Sequence, residues 1–180
     1  MSYLVEAAVL VEALRPSRNV WVGRWAEAHV RDELYITAMS LAALEGGASA
    51  LASGSQRNLV TDWVRAVATA FEGRVLGFDA GCAGACARLQ ARGVAAGTPV
   101  PLLEAMTCAI ADAHGLVLAG RAAPHLAVWG GPAVDPWQPM PLAEPRAIAA
   151  AAVAAMAAEA ALAATGDVQS EHIEGHYAQF

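Results

Sequence analysis

The sequence predicts an α/β fold of three layers on a mostly parallel central sheet, with an alanine-rich helix added at the C-terminal end. Three observations predict it. Short apolar runs alternate with longer stretches of helical periodicity, no two-residue hairpin signal joins one run to the next, and the runs are apolar throughout, as suits strands covered on both faces. The stretch Pro101 to Arg121, PLLEAMTCAIADAHGLVLAGR, shows the repeating unit most fully. Leu102, Met106, Ala109, Ile110 and Ala113 recur at three- and four-residue spacing and predict the inner face of a helix. His114-Gly115 ends it, because glycine accepts a left-handed conformation and a histidine suits the negative end of the dipole. Leu116 to Ala119 then reads as a buried strand, and Glu104 stands as an acid at the helix entrance.

The remaining elements follow in order. Tyr3-Leu4-Val5 reads as a first strand, Glu6-Ala7-Ala8 as an acidic turn, and Val9 to Leu14 as a short helix before Arg15-Pro16. Asn19 to Val30 interleaves Val20, Trp21, Trp25 and Ala28 with arginines and predicts an amphipathic helix with both tryptophans in the core. Glu33 to Ala38, ELYITA, is β-branched and aromatic and reads as a second strand. Met39 to Ala52 reads as a helix interrupted at Gly46-Gly47, and Asn58 to Phe71 as an amphipathic helix. Gly73 to Asp79 reads as a brief strand with its exit turn, and Ala80 to Gly93 as a helix with Arg88 and Arg92 near its end. A weak last strand is expected at Leu126 to Trp129.

At 180 residues and 57% hydrophobic content the chain can bury a core of ordinary domain size, although much of that fraction is alanine. All eleven basic residues are arginine, and the net charge of −6 argues against broad non-specific nucleic-acid binding while leaving room for a local arginine patch. Cys82, Cys86 and Cys108 form no paired C-x-x-C, so neither a disulfide framework nor a structural zinc site is indicated and a reducing cytoplasm is expected. No signal peptide is expected. Ala147 to Ala164 has the length of a span, but it is almost all alanine and holds Glu159, so no membrane partner is expected.

The composition changes beyond Trp137. Residues 138–145 are proline-rich and predict a linker, 146–165 predict the alanine-rich helix, and 166–180 predict a flexible acidic tail. His172 and His176 are four apart, yet the intervening order is not that of a helical zinc motif and a solvated tail is the expected reading. The alanine helix is expected to pack on the domain or on a second copy of the chain, since small side chains allow close helix approach.

In an α/β fold functional groups gather at the carboxyl ends of the strands, which draws attention to Glu6, to the start of the helix after the second strand, and to Arg121. Glu104 can join them from a helix start. The succession YLVEAAVLVEALRP, LYITAMSLAALEGG, RVLGFDA, GTPVPLLEAMTCAIADAHGLVLAGR and VDPW resembles the PIN-domain family, specifically the VapC-type toxins of bacterial toxin-antitoxin modules, over residues 1–137. The resemblance implies a compact α/β nuclease in which clustered acids bind Mg²⁺ or Mn²⁺ and hydrolyse RNA. It places metal-binding, catalytic acids at Glu6 and Glu104, both where aspartate is usual. A further acid is implied at the position of Ala43, and another in the segment Arg121 to His125, which has no carboxylate.

Two expectations follow. The first is a degenerate PIN domain whose nuclease activity is lost or strongly weakened and which acts through protein binding and self-association as a homodimer or larger homo-oligomer. An antitoxin-like protein is its implied partner. The alternative is an active Mg²⁺- or Mn²⁺-dependent endoribonuclease built on Glu6 and Glu104. RNA contact, with or without cleavage, is expected through Arg15, Arg18 and Arg121, with Arg24 and Arg31 beside them. Glu12 and Asp79 are read as a helix charge and a turn residue, or else as groups that support the acids or cap a helix.

Overall fold

The computed structural model describes residues 1–15, 17–29 and 34–139. The readings of 140–180, including the alanine-rich helix, the tail and the candidate span, lie outside the described residues, as does Arg31. Five short strands, β1 (Tyr3–Val5), β2 (Leu34–Thr37), β3 (Val75–Leu76), β4 (Val117–Ala119) and β5 (Ala133–Val134), form one sheet in the order β3-β2-β1-β4-β5 with every pairing parallel. Strand β1 is therefore the central one. Its register sets Leu4 against Leu118 and Tyr35, and Val5 against Ala119.

Alternation along the strands separates two cores. Leu4 and Leu118 point to one face, where α5 (Ala80–Ala95), α6 (Leu102–His114) and α7 (Pro124–Trp129) cover them with Cys82, Cys86, Leu89, Ala105, Cys108 and Ile110. Val5, Ile36 and Ala119 point to the other, covered by α1 (Ala7–Leu14), α2 (Val20–Ala28), α3 (Ala38–Ala50) and α4 (Ser55–Ala70) through Val9, Trp25, Leu44, Trp63 and Val67. This is the three-layer arrangement the strand pattern predicts. Among the described residues no helix is long and apolar enough to cross a membrane.

Four local readings are corrected. Leu126 to Trp129 is helical, not a strand: Pro124 occupies the first turn of α7 and Gly130, at φ 70°, closes it in the left-handed region. The last strand is Ala133–Val134 instead. Helix α3 runs unbroken through Gly46-Gly47, since glycine weakens a helix by only about 1 kcal/mol and packing of Leu44 and Ala48 outweighs that. In α6 the buried face is Ala105, Cys108, Ala109, Ile110 and Ala111, whereas Leu102 is 58% exposed and Ala113 lies in solvent. The helix packs along α5, where a seam between helices selects small residues over bulky ones. Gly93 shows how tight that region is: a methyl there would lie 2.8 Å from the Thr98 carbonyl oxygen and 3.0 Å from the Val100 nitrogen.

The fourth correction concerns Glu12, which is not a solvated helix charge. It is 5% exposed; its Oε1 accepts from the Asn19 N–H at 2.7 Å and its Oε2 from Arg15 Nη1 at 3.2 Å. The side chain thus ties the end of α1 to the start of α2. Asp79 is the N-cap of α5, accepting from the Cys82 N–H. Those bonds to the charged form hold its carboxyl below the ordinary value. Of the two tryptophans in α2, Trp25 is buried and Trp21 half-buried beneath the Arg24 guanidinium, 5.1 Å from the ring centre.

Candidate metal centre at the carboxyl edge of the sheet

Because all five strands are parallel, their exits share one edge. Glu6 leaves β1, Gly120-Arg121 leave β4, Asp135 leaves β5, and Thr37 ends β2 while capping α3. The order of strands reverses about β1, so Glu6 stands at the crevice where open α/β sheets bind ligands. An open cleft of about 120 Å³ lies there, lined by Glu6, Thr37, Ser40, Ala43, Glu104 and Thr107 among others. Glu104 enters it from the first turn of α6, a helix whose N-terminal cap Pro101 offers no side-chain hydrogen bond. The fold thus brings Glu6 and Glu104, 98 positions apart in sequence, to one cleft.

Glu6 is held in an unusual state. Its carboxyl is pushed up from 4.5 to about 7, first by burial, then by the negative charge of Glu104 and of Asp135, against an opposing hydrogen bond from the Arg121 backbone N–H. The side chain lies over Gly120, where any methyl would overlap Glu6 Oε2. Glycine at that position is what lets the glutamate lie there. The hydroxyls in the cleft are already engaged: Thr37 Oγ1 accepts from the Ser40 N–H at 2.9 Å and lies 3.0 Å from Ser40 Oγ, and Thr107 Oγ1 donates to the Leu103 carbonyl at 3.0 Å. Cys108, one turn beyond Glu104 on α6, has its thiol pushed up to about 12 by burial and by the nearby acids, so it stays protonated and is no nucleophile.

Two groups at this edge escape the sequence reading. Asp135 Oδ2 accepts from the Ala122 N–H at 3.2 Å and Oδ1 from the Trp137 N–H at 2.9 Å, joining the exits of β5 and β4. His125, on α7, points Nε2 at Glu104 Oε2 from 3.5 Å. Both follow from the true position of α7 and β5; the phrase VDPW marks Asp135 as the residue after a strand once that strand is placed at Ala133–Val134.

The arginines expected to meet RNA are not grouped. Arg121 lies at the cleft edge, its guanidinium 4.4 Å from the centre of the Trp137 ring. Arg15 and Arg18 follow the far end of α1, whose eight residues span about 12 Å, and Arg15 is paired with Glu12. Glu45 is exposed and does not line the cleft.

The resemblance implies a divalent ion at this edge. Two carboxylates line one cleft, and the proton affinity of Glu6 is raised first by its burial and then by the charge of Glu104. Among the described residues no three histidine, cysteine, aspartate or glutamate side chains are grouped to hold an ion. The donors therefore fit one hydrated ion, which Mg²⁺ commonly accepts through one or two carboxylates, and do not fit two.

The same architecture is found in solved structures: a chain in the structure of FitAB bound to the IR36 DNA fragment matches with a TM-score of 0.73 at 23% identity, over 77% of this chain and 97% of that one. By sequence, the plasmid stability protein StbB of Pseudomonas syringae pv. tomato is 31% identical over 136 residues, 75% of this chain and 98% of that protein. The VapC ribonuclease Y4jK of Sinorhizobium fredii is 27% identical over 137 residues, 76% of this chain and 98% of that protein. No family model matches the chain. A parallel sheet with its acids at the carboxyl edge, together with these relatives, defines a PIN-type domain. The chain belongs to the PIN-domain family of VapC-type toxins.

Proposed function

We propose that this chain is the toxin-like member of a toxin-antitoxin pair in which RNA cleavage is lost or strongly weakened while partner binding is kept. The observation that carries the reading is Ala43: it lines the cleft beside Glu6 and Glu104 at a position where the family resemblance implies an acid. Ala7 and Ala8 line the same cleft, and their side chains likewise offer no polar atom.

A divalent ion in such a centre supplies Lewis acidity toward a phosphate and lowers the pKa of bound water. In this chain Glu6 and Glu104 are the groups that would hold one. Glu6 lies over Gly120 and meets the Arg121 N–H, and Arg121 supplies positive charge at the rim for a phosphate backbone. Nothing in the cleft replaces the acid at Ala43. Binding is assigned to an antitoxin-like protein and to a second copy of the chain, in the cytoplasm, with RNA contact through Arg121, Arg15 and Arg18.

The test is RNA cleavage with Mg²⁺ or Mn²⁺ by the natural chain beside a variant carrying Glu6→Asp, Ala43→Glu and Glu104→Asp. Cleavage only by the variant is expected. Cleavage by the natural chain that disappears in Glu6→Gln and Glu104→Gln refutes the reading and establishes the second one, an endoribonuclease using a single ion. The electrostatic coupling of Glu6 to Glu104 favours that alternative.

A further inference from the structure

We propose that the Arg121 guanidinium, carried on the Trp137 ring, is a stacking platform for one unpaired base, so that the RNA this chain contacts is single-stranded and is held at the cleft rim through its bases. The inference deepens the RNA contact of the preceding reading and rests on it. A phosphate backbone finds little to hold it inside the cleft. Glu6 and Glu104 line that space and the chain carries a net charge of −6, so phosphates are repelled there. None of the residues lining the cleft is aromatic. A flat surface on which a base can lie begins only at the rim.

At the rim, Arg121 places its Cζ over the Trp137 ring, 4.4 Å from the centre. One face of the guanidinium therefore rests on the indole. Arg121 is nonetheless exposed, which leaves the other face open, and among the described residues no ion pair engages it. A guanidinium is planar and weakly hydrated, and it stacks on aromatic rings and on bases alike. The indole beneath fixes its plane, and a base above completes the stack. Inside a duplex both faces of a base are covered by its neighbours, so only an unpaired base can take that place.

The platform is built before any ligand arrives. Trp137 is half-buried and packs with the second core, directly after the fully buried Pro136. Three successive backbone N–H groups around Arg121 are engaged: Gly120 donates to the Val134 carbonyl at 3.1 Å, Arg121 to the Glu6 carboxyl, and Ala122 to Asp135 Oδ2 at 3.2 Å. Asp135 also accepts from the Trp137 N–H at 2.9 Å through Oδ1. One carboxylate thus fastens the chain beside both members of the stack. The order that binding would otherwise impose on a long side chain is in place already.

The test is fluorescence anisotropy of the full chain in chelator with three labelled RNAs: an oligoadenylate of about eight nucleotides, an abasic strand of the same length, and the corresponding duplex. The natural chain is expected to bind the base-bearing strand about tenfold more tightly than the abasic one, which carries the same phosphates, and more tightly than the duplex. Arg121→Lys keeps the charge and with it the salt dependence, but the preference for bases is lost. Trp137→Leu, which removes the support, loses it as well, and Trp137→Phe retains it. Unchanged melting of the variants shows that the fold is intact; if Trp137→Leu fails to fold, the exposed Arg121→Lys decides the matter alone. Equal affinity for base-bearing and abasic strands, tighter binding of the duplex, or a preference that survives Arg121→Lys or a folded Trp137→Leu overturns the platform and leaves RNA contact through phosphates standing. Absence of binding to any of the three overturns both.

Discussion

Replacing Glu6 by glutamine removes a charge that the folded chain holds at a cost, and the cost has a defined pH dependence. The Glu6 carboxyl ionises near 4.5 in an unfolded chain and near 7 in the fold. Between those values the folded protein keeps a proton that the unfolded chain has released. Stability contributed by Glu6 therefore falls as pH rises through this window and levels off above it. At about 1.4 kcal/mol for each tenfold change in proton affinity, the displacement amounts to about 3 kcal/mol at full ionisation. That is a large part of the ~5–15 kcal/mol by which domains are stable. Glutamine keeps the shape and an acceptor for the Arg121 N–H but never ionises. Urea unfolding of both proteins across a pH series, without divalent ions, is the assay. Glu6→Gln is expected to match the natural chain at about pH 4 and to exceed it by up to ~3 kcal/mol at about pH 8. Equal stability at alkaline pH, or a gain independent of pH, would refute the electrostatic account of this centre.

Three other substitutions probe the surroundings of this centre and the packing of the helices. In Gly120→Ala the new methyl overlaps Glu6 Oε2, the end of a flexible side chain that can swing aside. A loss of about 1 kcal/mol is expected, with a flatter pH dependence of stability in the same titration series. In Gly93→Ala the methyl meets backbone at Thr98 and Val100, which cannot step aside; a loss of about 1–3 kcal/mol by thermal unfolding is expected, and a neutral result would contradict the close packing there. Glu12→Ala strips the acceptor from the Asn19 N–H and one partner from Arg15. Denaturant unfolding should show a loss of about 1–3 kcal/mol, with Glu12→Gln milder because an acceptor remains.

Much of the fold was legible because each β-strand and the helix after it announce themselves by different periods. Tyr3 to Val5, ELYITA and Leu116 to Ala119 are short apolar runs, and Asn58 to Phe71 carries one apolar stripe. Leu126 to Trp129 was not legible in the same way, because four apolar residues have the same period in a strand and in one helical turn. Pro124 and Gly130, the signals that decide it, lie just outside the run. The site inherited that error. Glu6 and Glu104 stand beside elements that were read correctly and the structure brings both to the cleft, whereas His125 and Asp135 depend on α7 and β5. The inner face of α6 was shifted because a bulk-weighted stripe favours Leu102 and Met106, while the seam with α5 selects Ala105 and Cys108.

The central position of β1 has a consequence for how the protein comes into being. Strand β1 can pair with β2 only after residues 34–37 have emerged from the ribosome, and with β4 only after residues 117–119. Contacts that close such long loops form slowly. Glu6 waits unpaired through most of synthesis, and the cleft exists only once α6 and β4 have been laid beside a strand made more than a hundred residues earlier.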